Sequence, residues 1–263
     1  MERKLGIEAG CLKGVAEIDA LEKIKAAGFE AFFSGGCDVA YICALKEKAE
    51  QVGLYYDFVH APFGGINNLW RSGLDHVALF DKIIGSIDGA AEAGVKTVVC
   101  HVSSGWWPPH LNDIGFDRFD RLVAHAVRKG VHIAFENIRK PGNLAAIMER
   151  YERIPNVGFC FDCGHEHCYT ETIPYLDLYG KRTLCTHIHD NYGRDKEDIW
   201  KDADYHLLPF EGNYDYKAMM DRLNKYEYDG CLSLEVGNGK HPEMTEEEFL
   251  ATCYGLIKKI SEL

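Results

Sequence analysis

Carboxylates and imidazoles recur in this sequence directly after short apolar runs, in an arrangement that could hold a divalent cation. The segment Phe161-Asp162-Cys163-Gly164-His165 is the clearest case, because it places a carboxylate and an imidazole three residues apart across a turn that contains glycine. Such a turn can aim both side chains at one point, where a divalent cation or a sugar hydroxyl could bind. This motif alone leaves a structural role open, since an aspartate at a strand end can also cap the following helix.

Groups of the same types end or follow the other apolar runs in the middle and at the end of the chain. The candidates are His60, His101, Glu136, Asp162, His165, His187, His189 and Glu235. A further carboxylate and imidazole, Asp204 and His206, lie two residues apart in the polar segment 191–213. Each residue has a simple structural explanation by itself. Burying so many ionisable groups on one face would be costly unless cations or substrate paired them, so we interpret the set as functional.

The ligand types indicate which metals would suit the site. Glu136, Asp162 and Glu235 with one imidazole would form a mixed oxygen and nitrogen coordination sphere. Such a sphere suits Mn²⁺, Co²⁺, Mg²⁺ or Zn²⁺. His187 and His189 share one face of the predicted strand, so from the residues alone either could supply the imidazole.

The elements that must position these groups alternate regularly along the chain. Apolar runs predict strands at 5–9, 31–34, 55–60, 97–102, 132–135, 157–161, 184–189 and 231–235. Amphipathic segments predict helices at 15–27, 39–52, 75–93, 118–129, 144–151, 173–179, 216–226 and from Thr245 to the end, where Thr245 and Glu248 form a capping box.

About eight strand-then-helix units in 263 residues predict a (β/α)8 barrel that forms a single domain over residues 1–263. A doubly wound open sheet is the alternative, but it usually has a glycine-rich phosphate turn after the first strand, and Glu8-Ala9-Gly10-Cys11 is not one. In the barrel every candidate group would lie at a strand carboxyl end, on the face that carries active sites. The segment 191–213 is then an extended loop on that face.

Composition limits the class of protein. Hydrophobic content of 46% and charged content of 27% are ordinary for a globular protein with a sizeable core. The formal net charge of −12 does not favour a nucleic-acid partner and suits a small neutral or metal-bound substrate. No apolar run approaches the roughly 18–20 residues of a membrane span, and the start leads directly into a strand, so we expect a cytoplasmic protein that does not engage a membrane.

The ten cysteines are scattered and several lie in apolar strands, so we interpret them as free thiols. Cys160 and Cys163 form a CxxC pair that could suggest structural zinc. In a strand the two side chains would point to opposite faces, which argues against a shared metal.

Four motifs together resemble the xylose isomerase-like barrel superfamily, the sugar isomerase and epimerase group that also includes endonuclease IV. They are Phe135-Glu136-Asn137, Phe161-Asp162-Cys163-Gly164-His165, His187-Ile188-His189-Asp190-Asn191 and Leu234-Glu235. The resemblance covers nearly the whole chain but does not specify a substrate. It is compatible with a homo-oligomer, since relatives of this kind commonly form dimers or tetramers.

The resemblance implies that Glu136, Asp162, His187 and Glu235 hold a shared metal, with His187 preferred over His189 because the family's motif begins at His187. Similarity to the endonuclease branch would add further metals on groups matching His60, His101, His165, Asp204 and His206. Against that branch, Cys163-Gly164-His165 stands where it has Thr-Cys-His. The segment 34–41 contains no lysine or arginine to match its DNA-inserting loops.

The resemblance also implies a reaction: proton transfer next to a carbonyl of a sugar or cyclitol through a metal-stabilised enediolate, with Glu136 and Glu235 flanking the substrate. His165 would hydrogen-bond a substrate oxygen. Trp70, Trp106 and Trp107 lie in predicted loops on the active face and are expected, with Glu211, to shape the substrate pocket. The alternative function is endonuclease IV-like hydrolysis of a phosphodiester by a multinuclear zinc cluster.

Overall fold

Eight parallel strands form a barrel in the computed structural model, which describes residues 2–263. The strands are β1 (Leu5–Glu8), β2 (Ala31–Gly35), β3 (Tyr55–His60), β4 (Thr97–Cys100), β5 (His132–Glu136), β6 (Val157–Asp162), β7 (Thr183–His187) and β8 (Leu232–Leu234). Neighbours in the sheet are neighbours in sequence, and β8 also pairs with β1. A parallel bridge between Ile188 and Leu234 joins the remaining edges. The predicted (β/α)8 barrel is therefore confirmed.

Helices follow the strands around the outside of the barrel. They are α1 (Glu17–Ala26), α2 (Val39–Val52), α3 (Val77–Ala93), α4 (Asp113–Lys129), α5 (Pro141–Arg150), α6 (Tyr175–Tyr179), α7 (Tyr216–Lys225) and α8 (Glu246–Ser261). The predicted capping box of α8 is present, with Thr245 and Glu248 each accepting from the other's backbone N–H. α4 begins five residues earlier than predicted, because Asn112 caps it by accepting from the backbone N–H of Gly115.

Two predicted strands end two residues earlier in the structure than expected. β4 ends at Cys100 and β7 ends at His187, so His101 and His189 lie just beyond their strands. The residues directly after β7 pair only through isolated bridges, from Ile188 to Leu234 and from Asp190 to Leu207. Apolar residues, Val102 and Ile188, continue beyond the hydrogen-bonded ends of β4 and β7, which explains why the sequence predicted longer strands.

Side chains from neighbouring strands fill the interior of the barrel below its carboxyl end. This inner cluster takes one residue from each of β2 to β7, namely Phe33, Phe58, Val99, Ala134, Cys160 and Cys185. A larger cluster packs the helices against the strands and includes Cys163. Cys160 and Cys163 thus belong to different clusters, and both are free thiols. The filled interior makes a floor on which polar groups at the strand ends rest.

The loop between β7 and α7 is tied back to the barrel by one buried aspartate. The carboxylate of Asp190 accepts from the backbone N–H groups of Asn191, Phe210 and Tyr214, at 2.8, 2.8 and 3.2 Å. These bonds satisfy backbone donors that the irregular chain leaves free. They bring the segment with Asp204 and His206 over the barrel mouth. Among residues 2–263, every helix is too short or too polar to cross a lipid bilayer.

Candidate metal centre and active site

Four side chains converge at the centre of the barrel mouth. Glu136, Asp162 and His187 end β5, β6 and β7, and Glu235 follows β8 directly. Nδ1 of His187 lies 3.6 Å from a carboxylate oxygen of Glu136, 3.6 Å from one of Asp162 and 3.5 Å from one of Glu235. Ligand atoms bonded at about 2.0–2.2 Å to one divalent cation would stand at such separations. The residues present therefore fit a divalent cation, and the geometry puts His187, rather than His189, among all three carboxylates.

The electrostatics of this central group are those of paired charges. Burial alone would raise the pKa of Glu136, but the imidazoles of His101 and His187 hold it well below its usual range. For His187 burial acts to lower the pKa, and the carboxylates of Glu235 and Glu136 raise it well above its usual range instead. Three carboxylates around one imidazole, of which those of Glu136 and Asp162 are buried, still carry excess negative charge, which a divalent cation would neutralise.

A second group lies beside the central one, towards β3 and β4. Nε2 of His60 and Nε2 of His101 both approach Oε2 of Glu136, at 3.2 and 3.0 Å. Nδ1 of His60 donates to the carbonyl of Ala61 at 2.9 Å, since a carbonyl oxygen can only accept. The other ring nitrogen is then free to face the carboxylate. Metal-binding histidines commonly show this pairing with a backbone carbonyl.

A third group lies on the opposite side, where the β7–α7 loop covers the mouth. Nε2 of His165 and Nε2 of His206 both lie 3.1 Å from Oδ2 of Asp204. Nδ1 of His206 donates to the carbonyl of Glu235, and Nδ1 of His165 to that of Asn137, each at 2.9 Å. Burial opposes a charge on His206, but Asp204 and Glu235 raise its pKa to about 10. This group repeats the arrangement of ligand types seen around His60.

His189 packs below the third group. Its Nε2 lies 3.2 Å from both carboxylate oxygens of Asp162, and its ring stacks on that of His206 with 4.0 Å between centroids. A Cβ at Gly164 would lie 1.9 Å from the His189 ring, so only glycine fits in this turn. The glycine of the Asp162-to-His165 motif therefore makes room for the second histidine.

The three groups open into one cavity of about 220 Å³. Of the predicted residues, its lining includes His60, His101, Glu136, His165, Asp204, His206 and Glu235. Sequence reasoning missed other lining residues, namely Phe63, Ser103, Ser104, Ile138, Arg139, Tyr169 and Asp202. Phe63 stacks on the ring of His101 with 4.2 Å between centroids, so it holds that imidazole in place. Its position in a glycine-rich loop gave no periodic signal.

Several predicted pocket residues lie elsewhere. Trp70 is only 1% exposed and its indole N–H donates to the carbonyl of Val102 at 2.7 Å, so the prediction that it shapes the substrate pocket was wrong. The loop folds inward at this point, and the indole joins the core. Glu211 accepts from the backbone N–H of Leu208 at 3.0 Å and does not line the cavity. Trp106 and Trp107 line a separate groove beside the cavity.

Fold and site together define a (β/α)8 barrel with a carboxylate and histidine cluster at the carboxyl ends of its strands. The chain belongs to the xylose isomerase-like TIM barrel family, whose sequence model matches residues 18–253. That match covers all the candidate ligands. It confirms the resemblance inferred from the sequence motifs.

Two relatives in sequence extend this comparison. The chain is 29% identical over 191 residues to the uncharacterized protein y4fM of Sinorhizobium fredii, a match covering 67% of this chain and 58% of that protein. It is 24% identical over 262 residues to the uncharacterized protein MJ1311 of Methanocaldococcus jannaschii, covering 90% of this chain and 85% of that protein. The chain thus matches less than two thirds of the length of the first relative.

Solved structures with the same fold include two described by a metal or an activity. The IOLI protein with a bound zinc atom is 20% identical, with a TM-score of 0.80, and the match covers 98% of each chain. A D-tagatose 3-epimerase-like protein is 24% identical, with a TM-score of 0.74, over 98% of this chain and 97% of that one. At these identities the likeness shows the fold.

Proposed function

We propose that the protein is a divalent-metal-dependent isomerase or epimerase that acts on a sugar or cyclitol. The observation that carries the proposal is that Glu136 and Glu235 lie 3.6 and 3.5 Å from Nδ1 of His187 and both line the same cavity. The structural likeness to a D-tagatose 3-epimerase-like protein and to the zinc-bound IOLI protein supports it. The cavity of about 220 Å³ is near the small end of ligand sites and suits a single sugar ring.

The residues divide the chemistry between them. A divalent cation held by Glu136, Asp162, His187 and Glu235 would supply positive charge next to the oxygen on which negative charge develops. One glutamate removes the proton from the carbon beside the carbonyl, and the other returns a proton to the opposite face, which inverts that centre. If a single glutamate moves the proton to the neighbouring carbon, the result is aldose–ketose isomerisation.

His165 would orient the substrate. It lines the cavity, and its Nε2 lies 3.1 Å from Asp204 while its Nδ1 donates to the carbonyl of Asn137. A substrate oxygen near Nε2 would compete with Asp204 for that position. The anchored Nδ1 keeps the ring in one orientation while Nε2 exchanges partners.

Hydrogen exchange with solvent tests this proposal directly. The protein loaded with Mn²⁺ is incubated in deuterated water with ketohexoses, ketopentoses and inososes, and deuterium at the carbon next to the carbonyl is followed by NMR. We expect incorporation with at least one compound and a loss of at least 100-fold in Glu235→Gln. Glu211→Gln is the matched control, because this carboxylate lies outside the cavity. Absence of exchange across the panel with metal bound would exclude the proposal.

Hydrolysis of a phosphodiester is a second candidate, favoured by the two flanking groups. His60 and His101 with Glu136, and His165 and His206 with Asp204, could each hold a further cation. Plasma mass spectrometry of the protein purified without chelator separates the candidates. About one metal per chain supports the isomerase or epimerase, whereas two or three zinc ions per chain with turnover of bis(p-nitrophenyl) phosphate would support the hydrolase.

A further inference from the structure

A groove lined by tryptophans lies next to the candidate metal centre. It has a volume of about 740 Å³ and is lined by residues 106–111 together with Lys140 and Asn143. Trp200, from the β7–α7 loop, packs on Trp107 with 4.8 Å between ring centroids. Trp107 is 74% exposed and Trp200 is 47% exposed. We call this surface the tryptophan groove.

The groove adjoins the cavity through a shared wall. Arg139 and Tyr169 line the cavity, and the guanidinium of Arg139 lies 4.0 Å from the ring centroid of Tyr169. On its other side Arg139 lies 5.7 Å from the ring centroid of Trp106, which lines the groove. The next residue, Lys140, lies 5.1 Å from the ring centroid of Trp107. A ligand that filled the cavity could therefore extend over this wall into the groove.

The exposed aromatic side chains of the groove indicate the chemistry of its occupant. Exposed indole faces such as that of Trp107 are costly in water and stack on flat apolar surfaces. A pyranose ring offers such a surface, because it has an apolar C–H face, and the oxygens around its rim can stay in contact with water.

The charge of the surroundings disfavours a nucleic acid as the occupant. The segment 191–202, which carries Trp200, has four carboxylates against three lysine or arginine side chains, and the chain has a formal net charge of −12. The guanidinium of Arg139 is also paired with Asp202 at 2.6 Å. The net negative charge of the chain gives a phosphate backbone no overall attraction to this surface, and a neutral saccharide needs none.

We propose that the tryptophan groove is a subsite for a second sugar ring, so that the protein also accepts glycosides or oligosaccharides in which the ring that reacts carries another ring. The inference rests on the proposed function for the ring that reacts in the cavity. The cavity accommodates the reacting ring, and the larger groove takes the ring attached to it. Trp107 stacks on the apolar face of that second ring.

Calorimetric binding to the Mn²⁺-loaded protein tests the subsite. Disaccharides with gluco-, galacto-, manno- and xylo-configured rings are each paired with the corresponding methyl glycoside. We expect at least one disaccharide to bind about tenfold more tightly than its single-ring partner, and Trp107→Ala to remove that advantage. Tyr55→Ala is the matched control, because Tyr55 is an exposed aromatic residue at the first position of β3, on the opposite face of the barrel.

The outcomes separate this inference from the proposed function. The subsite is excluded if no disaccharide binds better than its methyl glycoside, or if Trp107→Ala keeps the advantage while thermal unfolding shows the variant to be folded. Binding of single-stranded oligothymidylate that Trp107→Ala abolishes, without any disaccharide binding, would also overturn it. Disaccharide binding that requires Trp107, in a protein that exchanges no deuterium into any ketose, would support the subsite and exclude the isomerase or epimerase.

Discussion

Asn137 and Asp162 hold each other by two hydrogen bonds between neighbouring strand ends. The side-chain amide of Asn137 donates to the carbonyl of Asp162 at 2.7 Å, and its oxygen accepts from the backbone N–H of Asp162 at 2.8 Å. Oδ1 of Asp162 also accepts from the backbone N–H of His165 at 2.6 Å. Both residues are fully buried. The pair therefore fixes the direction in which the Asp162 carboxylate faces the proposed metal.

Removing this support should weaken metal binding. We expect Asn137→Ala to lower the affinity for Mn²⁺ by roughly 10–100-fold, because groups that orient metal ligands commonly contribute that much. Competition with a fluorescent chelator measures the change. Asn156→Ala is the control, since the side-chain amide of Asn156 donates one hydrogen bond to the carbonyl of Val131, away from the site. Equal affinities in Asn137→Ala and the wild type would show that Asp162 is oriented by other contacts.

His187 and His101 should differ in their contribution to the first bound cation. His187 approaches three carboxylates, whereas the ring nitrogen of His101 approaches only Glu136, at 3.0 Å. We therefore expect His187→Gln to weaken the first Mn²⁺ binding step at least 100-fold and His101→Gln to weaken it less than about fivefold. Titration calorimetry with Mn²⁺ measures the affinity of the first binding step in each variant. A larger loss in His101→Gln would place the tightest cation beside β4 instead.

The side chains that meet at the barrel mouth could be predicted from the sequence, because strand ends are visible in it. Apolar runs that stop at Glu136 and Asp162 locate both the ladder and the polar group that follows, and a parallel barrel must collect such ends on one face. The roles of Asn137 and Trp70 were not predictable, since both depend on which loop backbone folds against them. An asparagine whose side chain hydrogen-bonds to a neighbouring strand looks the same in the sequence as an asparagine exposed to solvent.

Trp70 shows how a loop tryptophan can be part of the core. The Cβ of an alanine at position 115, in the first turn of α4, would lie 1.9 Å from the Trp70 ring. We expect Gly115→Ala to lower the free energy of unfolding by about 1–3 kcal/mol, the usual cost of overpacking. Gly142→Ala, in the first turn of α5, is the matched control because no atom lies within 4 Å of the added Cβ. Urea denaturation should show a lower midpoint for Gly115→Ala only; equal midpoints would mean that the Trp70 ring moves freely.

A buried aspartate away from the cavity should make stability depend on pH. Asp57 in β3 is buried, and burial raises its pKa to about 7, although the hydroxyl of Ser233 donates to it at 3.4 Å. The folded protein therefore holds this proton at a pH where the unfolded chain has released it. The contribution of Asp57 to the free energy of unfolding is fully present below about pH 4. It decreases by about 1.4 kcal/mol per pH unit as the pH rises towards 7.

Asp57→Asn should remove that dependence, because the amide keeps the shape of the protonated carboxyl group and does not ionise. Between pH 5 and pH 8 we expect the variant to gain on the order of 3 kcal/mol of unfolding free energy relative to the wild type. Urea denaturation at the two pH values measures the gain. Asp221→Asn, at an exposed carboxylate that pairs with Lys217 on α7, should show no such gain. If the two variants respond to pH alike, Asp57 is ionised in the folded protein and a neighbouring group compensates for its charge.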